Sequence, residues 1–381
     1  MKPTLPQNVT VLIVHSGEFA RVPRTIRTFN ALTSNGYQAK YLGWLRAMED
    51  WPTGASQEDC RIEHIRHRGE YGLRSIFGLP SFLFAIARAI LRDRPRVIHA
   101  ANEEIAFWCV PFAWLTRASL ICDVYDSLPD RIVSKSTFVH TVAKWIASVV
   151  YKNASAVIVA DNSRIERLTV LPKTLVAILN TPIEVEDVPA ALPTGPVKVF
   201  ASGNLHLGRG IRQLVEAAHQ AGDTEIHAAG MLGDEFAKTV FSADPTVVYH
   251  GVLPHSEAMQ LAAECDATFA YYVPQSLNNI YASPSKVFEA MCVGRRNIMN
   301  SETRLSAWIT ERDLGYSAPY GDVSALSEIF HLLGNERKSI AMSAKHIRSV
   351  YLDECSWLQM EKRLLKLYQD LTCNGNPVSG A

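Results

Sequence analysis

Two segments of the sequence hold side chains able to grip a phosphate-bearing ligand. Residues 202–210, SGNLHLGRG, read as a turn from strand to helix. Glycines at 203, 208 and 210 let backbone amides approach an anion, and a helix start favours negative charge there. Arg209 adds a permanent cation that can fork onto two phosphate oxygens. The spacing is neither GxGxxG nor GxxxxGKS/T, so neither nucleotide fingerprint applies. An ordinary glycine turn with a surface arginine would use the same residues. In residues 278–294, NNIYASPSKVFEAMCVG, Ser283 is placed to cap a helix and Pro284 suits its first position. Lys286 and Glu289 then fall three apart, on neighbouring faces of the first two turns. A lysine near a helix start opposes the dipole unless an anion is bound there. A carboxylate one turn later suits a pair of vicinal hydroxyls, such as those of a ribose. A plain surface Lys–Glu pair is the competing reading.

These segments need strands and helices to position them. Strand-length apolar runs (Val9–His15, Tyr37–Gly43, Cys60–Arg66, Arg96–Ala100, Leu120–Tyr125, Ala156–Val159, Leu175–Leu179) alternate with helical patterns over Ile26–Leu32, Leu79–Arg92, Glu104–Thr116 and Phe138–Lys152. Near-continuous apolar strands between helices predict a parallel sheet covered on both faces. Four prolines in residues 181–196 break the pattern. Alternation restarts with Val197–Ser202, then a helix over Gly210–Ala221 and strands at Glu225–Ala229, Val247–Gly251, Ala267–Tyr271 and Asn297–Asn300. The helix carrying Lys286 covers Pro284–Val293, and 322–371 is nearly all helical. The expectation is two doubly wound Rossmann-like α/β domains: 1–182 on the acceptor side, a proline-rich linker over 183–196, and a nucleotide-sugar-binding domain over 197–350. A C-terminal helix within 351–381 is expected to cross back to the first domain and end in a disordered tail. Ligands of such sheets sit at the carboxyl ends of the strands, so two facing domains predict one interdomain cleft.

Composition narrows the function classes. Of 381 residues 48% are hydrophobic and 20% charged, which excludes intrinsic disorder. Residues 1–182 carry 22 basic and 15 acidic side chains, a net +7 that residues 183–381 cancel. That excess is too weak for a nucleic acid partner. Seven scattered cysteines show no zinc spacing and read as buried free thiols of a reducing compartment. With no signal-peptide layout and no spanning helix, the chain is expected to be cytoplasmic.

The order of these motifs resembles the GT-B glycosyltransferases, and most closely the family 4 group of retaining, nucleotide-sugar-dependent enzymes. The resemblance runs from residue 9 to about 371. SPSKVFEAMCVG is similar to the family's P-x-K-x-x-E segment, residues 96–100 (RVIHA) to its DVIHAH strand, and 203–210 to its GxLxxxKG turn. AVIVA (156–160), NTP (180–182) and HGVLP (250–254) match further family segments. The resemblance implies that Glu289 holds the donor ribose, that Arg209 and Lys286 face the donor diphosphate, and that Gly203 and Gly210 shape that turn. It places Tyr281 and Ser283 beside the donor. It also implies that the Ser16-Gly17 loop closes on donor and acceptor, with His99 and Asp126 facing the transferred sugar. Tyr281 departs from the family, standing where a first acid often approaches the sugar. Tyr125 stands where a histidine is common, Asn204 replaces a frequent arginine, and Arg295-Arg296 stand where Pro-Val is common.

The implied activity is a metal-independent hexosyltransferase moving a sugar, with retention, from a UDP- or GDP-sugar to a glycan or lipid-linked acceptor in polysaccharide or glycoconjugate biosynthesis. No other cofactor is implied. A nucleotide-sugar 2-epimerase shares the fold, and a non-catalytic sugar-nucleotide-binding scaffold subunit is made conceivable by Tyr281. Residues 61–96 hold eight arginines against three acids around IFGLPSFLF, a combination that suits an anionic membrane surface. Aromatics at 107–114 lie nearby in sequence. A peripheral position on the inner face of the plasma membrane is expected on that ground, against the alternative that Leu83, Ile86, Ala87 and Ile90 form an ordinary core stripe. Arg21, Arg24 and Arg27 could receive an acceptor phosphate or be solvated.

Overall fold

The apolar runs of the chain build two parallel sheets, one of seven strands and one of six. The structure, a computed structural model, describes residues 9–45, 61–66, 78–132, 136–185, 195–337 and 340–373. The chain divides into two units, Met1–Ile178 with Glu361–Ala381, and Leu179–Met360. The division falls just ahead of the proline-rich segment, whose residues 186–194 lie outside the described residues, as do 374–381 of the expected tail.

The first unit runs β1 (Thr10–His15), α1 (Pro23–Ser34), β2 (Gln38–Leu45), β3 (Ile62–Arg66), α2 (Leu79–Asp93), β4 (Val97–Ala101), α3 (Glu103–Thr116), β5 (Ser119–Val124), α4 (Leu128–Arg131), α5 (Thr137–Asn153), β6 (Ala156–Val159) and β7 (Leu175–Ala177). All neighbours pair in parallel, in the order β3-β2-β1-β4-β5-β6-β7. Right-handed crossovers put α1, which steps towards β2, on one face and α2, α3 and α5, which step the other way, on the opposite face. Alternation along the strands follows this division. Leu12, Val14, Ile98 and Ala100 join α2, α3 and α5 in one core cluster, while His99 points to the other face.

The second unit runs β8 (Val197–Leu205), α6 (Ile211–Ala221), β9 (Thr224–Leu232), α7 (Glu235–Ala243), β10 (Val247–Tyr249), α8 (His255–Ala263), β11 (Ala267–Ala270), α9 (Leu277–Ile280), α10 (Ser285–Cys292), β12 (Arg296–Asn300), α11 (Arg304–Glu311), β13 (Gly315–Ala318), α12 (Val323–Glu336) and α13 (Ile340–Val350). Its sheet is parallel in the order β10-β9-β8-β11-β12-β13. A π-helical turn over Tyr351–Cys355 leads to α14 (Trp357–Cys373), within which the division between the units falls.

Several boundaries depart from the sequence reading. Strand β8 does not stop at Ser202: it stays paired with β9 through Leu205, so the first four residues of the glycine-rich segment are strand. Gly230, at φ +136°, makes this possible, because a Cβ there would lie 2.0 Å from the Gly203 carbonyl oxygen. Helix α10 begins one residue late, with Pro284 as its N-cap residue and no side-chain cap. Ser283 therefore does not cap the helix; its buried hydroxyl has no hydrogen-bond partner. Cys109, Cys122, Cys265, Cys292 and Cys355 are buried free thiols, whereas Cys373 is exposed and Cys60 lies outside the described residues.

Candidate active site

In doubly wound sheets ligands collect where the strand order reverses, outside the carboxyl ends. In the second unit that place is between β8 and β11. A pocket opens there, lined in part by Ser202, Leu205, Arg209, Tyr271, Tyr272 and Lys286. The Arg209 guanidinium lies 4.1 Å from the centre of the Tyr272 ring, which holds it at the pocket by cation–π attraction. Gly203 has φ +93°, and a Cβ there would sit 2.8 Å from Lys286 Nζ, so glycine is what lets the ammonium lie against β8. Gly210, at φ +67°, would drive a Cβ to 2.6 Å from the Tyr271 ring. The intervening turn is pinned from both sides. His206 Nδ1 accepts from the Gly208 amide at 3.1 Å, and Asp234 accepts from the Leu207 amide at 2.7 Å. Burial and then the Arg209 charge lower the His206 pKa, keeping the ring a neutral acceptor.

The cations of this pocket are uncompensated. Among the described residues neither Arg209 nor Lys286 has a carboxylate within ion-pair distance, and the side chain of Glu289, one turn beyond Lys286 on α10, has no hydrogen bond or ion pair. The Lys286–Glu289 surface pair is thus not formed. Two half-buried cations facing one pocket are arranged for an anion with at least two oxygens, and Glu289 keeps both carboxylate oxygens available as acceptors. Tyr281 is 9% exposed under the Arg304 guanidinium, 5.6 Å from its ring centre, and Ser283 precedes α10.

In the first unit the reversal lies between β1 and β4. Gly17 follows β1 and its carbonyl accepts from Tyr41 Oη at 2.6 Å. Asp126 follows β5, with its side chain 48% exposed and 3.5 Å from Arg164. The two loops meet through His15 and Tyr125, whose ring centres are 5.4 Å apart. Asn102 ends β4 at φ 66° and ψ 162°, a region that costs a non-glycine residue about 1–3 kcal/mol. Its carboxamide oxygen accepts from the amides of Tyr125 at 2.8 Å and Asp126 at 3.3 Å, so the strained residue anchors the Asp126 loop.

His99 is placed differently from Asp126. It is 1% exposed, with Nδ1 2.8 Å from Tyr368 Oη of α14 and Nε2 3.3 Å from Asp123. Both ring nitrogens are occupied, so His99 orients its neighbours rather than presenting a free nitrogen. Asp123 also takes a two-pronged pair from Arg24, at 3.0 and 2.6 Å, while Arg24 donates to the Ile178 carbonyl at 2.7 Å. Burial pushes the Asp123 carboxyl up, but Arg24 and His99 outweigh it and hold its pKa at about 2. Arg24 is therefore part of a buried ion pair, neither solvated nor offered to a phosphate, and Arg21 pairs with Glu18 at 2.8 Å. Tyr272, Arg164, Asn102 and Tyr368 were not singled out by the sequence, nor was the pairing of Arg24 with Asp123. Only the non-glycine turn at Asn102, a residue type that tolerates positive φ, carried a signal.

Two tandem parallel units, each with its polar residues at the strand reversal, define the GT-B class. The fold matches sucrose-phosphate synthase from Thermosynechococcus elongatus at a TM-score of 0.71 and 15% identity, covering 96% of this chain and 100% of that one. Anabaena HepE in complex with UDP-glucose matches at 0.70 and 14%, covering 95% and 99%. A glycosyltransferase from Rickettsia africae matches at 0.71 and 14%, covering 97% and 100%. No curated protein matches the chain by sequence. Residues 23–170 match the model of the glycosyl transferase 4-like domain.

Proposed function

We propose that the chain transfers a hexose from a nucleoside-diphosphate sugar, UDP- or GDP-linked, to a glycan or lipid-linked acceptor in polysaccharide or glycoconjugate biosynthesis, with retention and without a metal. The observation that carries this reading is the uncompensated pair Arg209 and Lys286 at the β8–β11 reversal, with the unpartnered Glu289 one turn on. Cleaving a sugar–phosphate bond builds negative charge on the departing diphosphate, and two preorganised cations stabilise it most where it grows. Glu289 takes the ribose hydroxyls, Gly203 and Gly210 let the backbone reach the phosphates, and Ser283 and Tyr281 border the sugar. Asp126, on its anchored loop with Gly17, contacts the transferred sugar; His99 holds Asp123 and Tyr368 in place behind it. HepE, solved with UDP-glucose, supports a uridine donor by analogy of fold. A cytoplasmic enzyme meeting lipid-linked acceptors at the inner face of the plasma membrane, through the basic residues 61–96, completes the reading. Residues 67–77 of that stretch lie outside the described residues, and no described helix is long and apolar enough to cross a membrane.

A thermal-shift panel of UDP, GDP, ADP, dTDP and CMP tests donor binding. A ligand at ~100 times its dissociation constant stabilises by about 2.7 kcal/mol, and one diphosphate should stand out. Incubation with the matching nucleotide sugar then separates the activities. Acceptor-dependent release of the nucleoside diphosphate supports transfer, an altered sugar with no acceptor indicates an epimerase, and binding without turnover indicates a scaffold. No shift with any nucleotide refutes all three.

A further inference from the structure

The helices α2, α3 and α5 form one layer on the β1–β4–β5 face of the first unit, α3 in the middle. Surface helices normally show a polar outer stripe. Here α3 is apolar all round beyond its first turn: its outward stripe reads Phe107, Pro111 and Trp114, with Trp114 84% exposed. Helix α5 repeats the pattern with Phe138, Val142 and Trp145, Phe138 being 76% exposed, and Phe107 packs edge-on to Trp145 at 5.4 Å across the two helices. Phe84 extends the apolar surface onto α2, 68% exposed. A contiguous exposed surface of large side chains marks an interaction site.

Its charge selects the partner. Arg88, Arg117, Lys144 and Lys152 are exposed around these aromatics and have no carboxylate within ion-pair distance among the described residues. Helix α5 contains no acid at all, and Glu104 of α3 is neutralised by Arg131 at 2.8 Å. A second copy of the same face would set these cations against one another. Anionic lipid headgroups pair with them while the tryptophan and phenylalanine rings enter the interfacial layer. We propose that the outer face of the α2–α3–α5 layer docks the protein on an anionic bilayer. The proposal rests on the membrane contact inferred above, but centres it on α3 and α5, with only α2 of residues 61–96 taking part.

Flotation of the full chain with phosphatidylcholine vesicles, with and without about one third phosphatidylglycerol, tests it. Wild type should float only with the anionic vesicles and be released by salt. The Trp114→Ser/Phe138→Ser variant should lose at least tenfold in vesicle affinity, with an unchanged melting temperature and an unchanged nucleotide shift. Lys144→Ala/Arg117→Ala should lose about fivefold per cation removed. Flotation that survives these variants but fails when Arg61, Arg66 and Arg74 are replaced overturns the assignment to α3 and α5 and leaves the earlier contact standing. No flotation of wild type overturns both. A dimer in solution that Trp114→Ser/Phe138→Ser dissolves, without vesicle binding, overturns the lipid partner in favour of a second copy.

Discussion

At the residue scale, the Arg209–Lys286 pocket and the buried network call for different tests. Replacing Arg209 or Lys286 by Ala removes charge-assisted contacts worth about 1.5–3 kcal/mol each, so nucleotide affinity should fall roughly 10- to 100-fold. Glu289→Ala should weaken binding of a nucleoside diphosphate but not of inorganic diphosphate, since its role is at the ribose; the helix tolerates Ala well. Equal titration curves for wild type and variant would remove that role. The spacing of Lys286 and Glu289 places them one turn apart on a helix, and α10 carries both. His99 was legible as a position and misleading as a chemical group, because sequence does not show that Tyr368, 269 residues on, occupies its Nδ1. Buried carboxyls make the stability depend on pH in two windows. Burial, relieved in part by Tyr151 at 2.6 Å, raises Glu103 from 4.5 to about 7, so its contribution is complete below about 4.5 and lost as pH rises through 7. Asp123, depressed to about 2, contributes above its usual 3.8 and loses that as pH falls towards 2. From these two groups alone the melting temperature should peak near pH 4, between their ordinary values of 3.8 and 4.5. Glu103→Gln, which keeps an acceptor for the Leu128 amide and a partner for Tyr151, should flatten the fall between pH 5 and 7.

At the element scale, the glycine-rich segment shows what a local pattern does and does not specify. Gly203, Gly208 and Gly210 identified the place, but the reading ended β8 too early, because the pairing that extends it comes from β9 and from Gly230. Helix α11 and strand β13 were not anticipated: Gly315–Ala318 is short and half polar, and its strand character comes from pairing with the buried β12. The strands Val97–Ala101 and Ala156–Val159 were read closely, since burial on both faces demands unbroken apolar runs. Two glycine variants should separate support from binding. Gly230→Ala meets backbone at 2.0 Å and a φ of +136°, so it should lower the melting temperature of the second unit by several degrees. Gly203→Ala meets only the flexible end of Lys286, so its main effect should be to displace the ammonium and weaken diphosphate binding, beyond the ~1 kcal/mol cost of a positive φ. Comparable losses of nucleotide affinity in both variants, scaled to stability, would show that the turn binds nothing.

At the scale of the whole chain, the last helix ties the fold of the first unit to residues far from it in sequence. Glu361–Ala381 groups with that unit although the second unit intervenes. Leu364, Leu367 and Tyr368 of α14 are buried, and Tyr368 stacks on His99 and packs edge-on to Tyr37. The first unit is therefore incomplete until residues 361–373 are in place, whereas Leu179–Met360 contains both its sheet and the pocket lined by Arg209 and Lys286. Deleting residues 361–381 leaves His99 without its Nδ1 partner and uncovers the face of β1 and β4, a loss on the order of 3–5 kcal/mol for the aromatic side chain alone. Calorimetry of the truncated chain should show the first unit melting early or not folded, while a second transition persists and still rises with the nucleotide that shifts the full chain. Tyr368→Phe, which removes only the hydroxyl facing His99, should cost about 1–3 kcal/mol and leave nucleotide binding unchanged. Loss of the nucleotide-sensitive transition on truncation would mean that the pocket depends on the first unit, and that Arg209 and Lys286 are held in place by more than β8, β11 and α10.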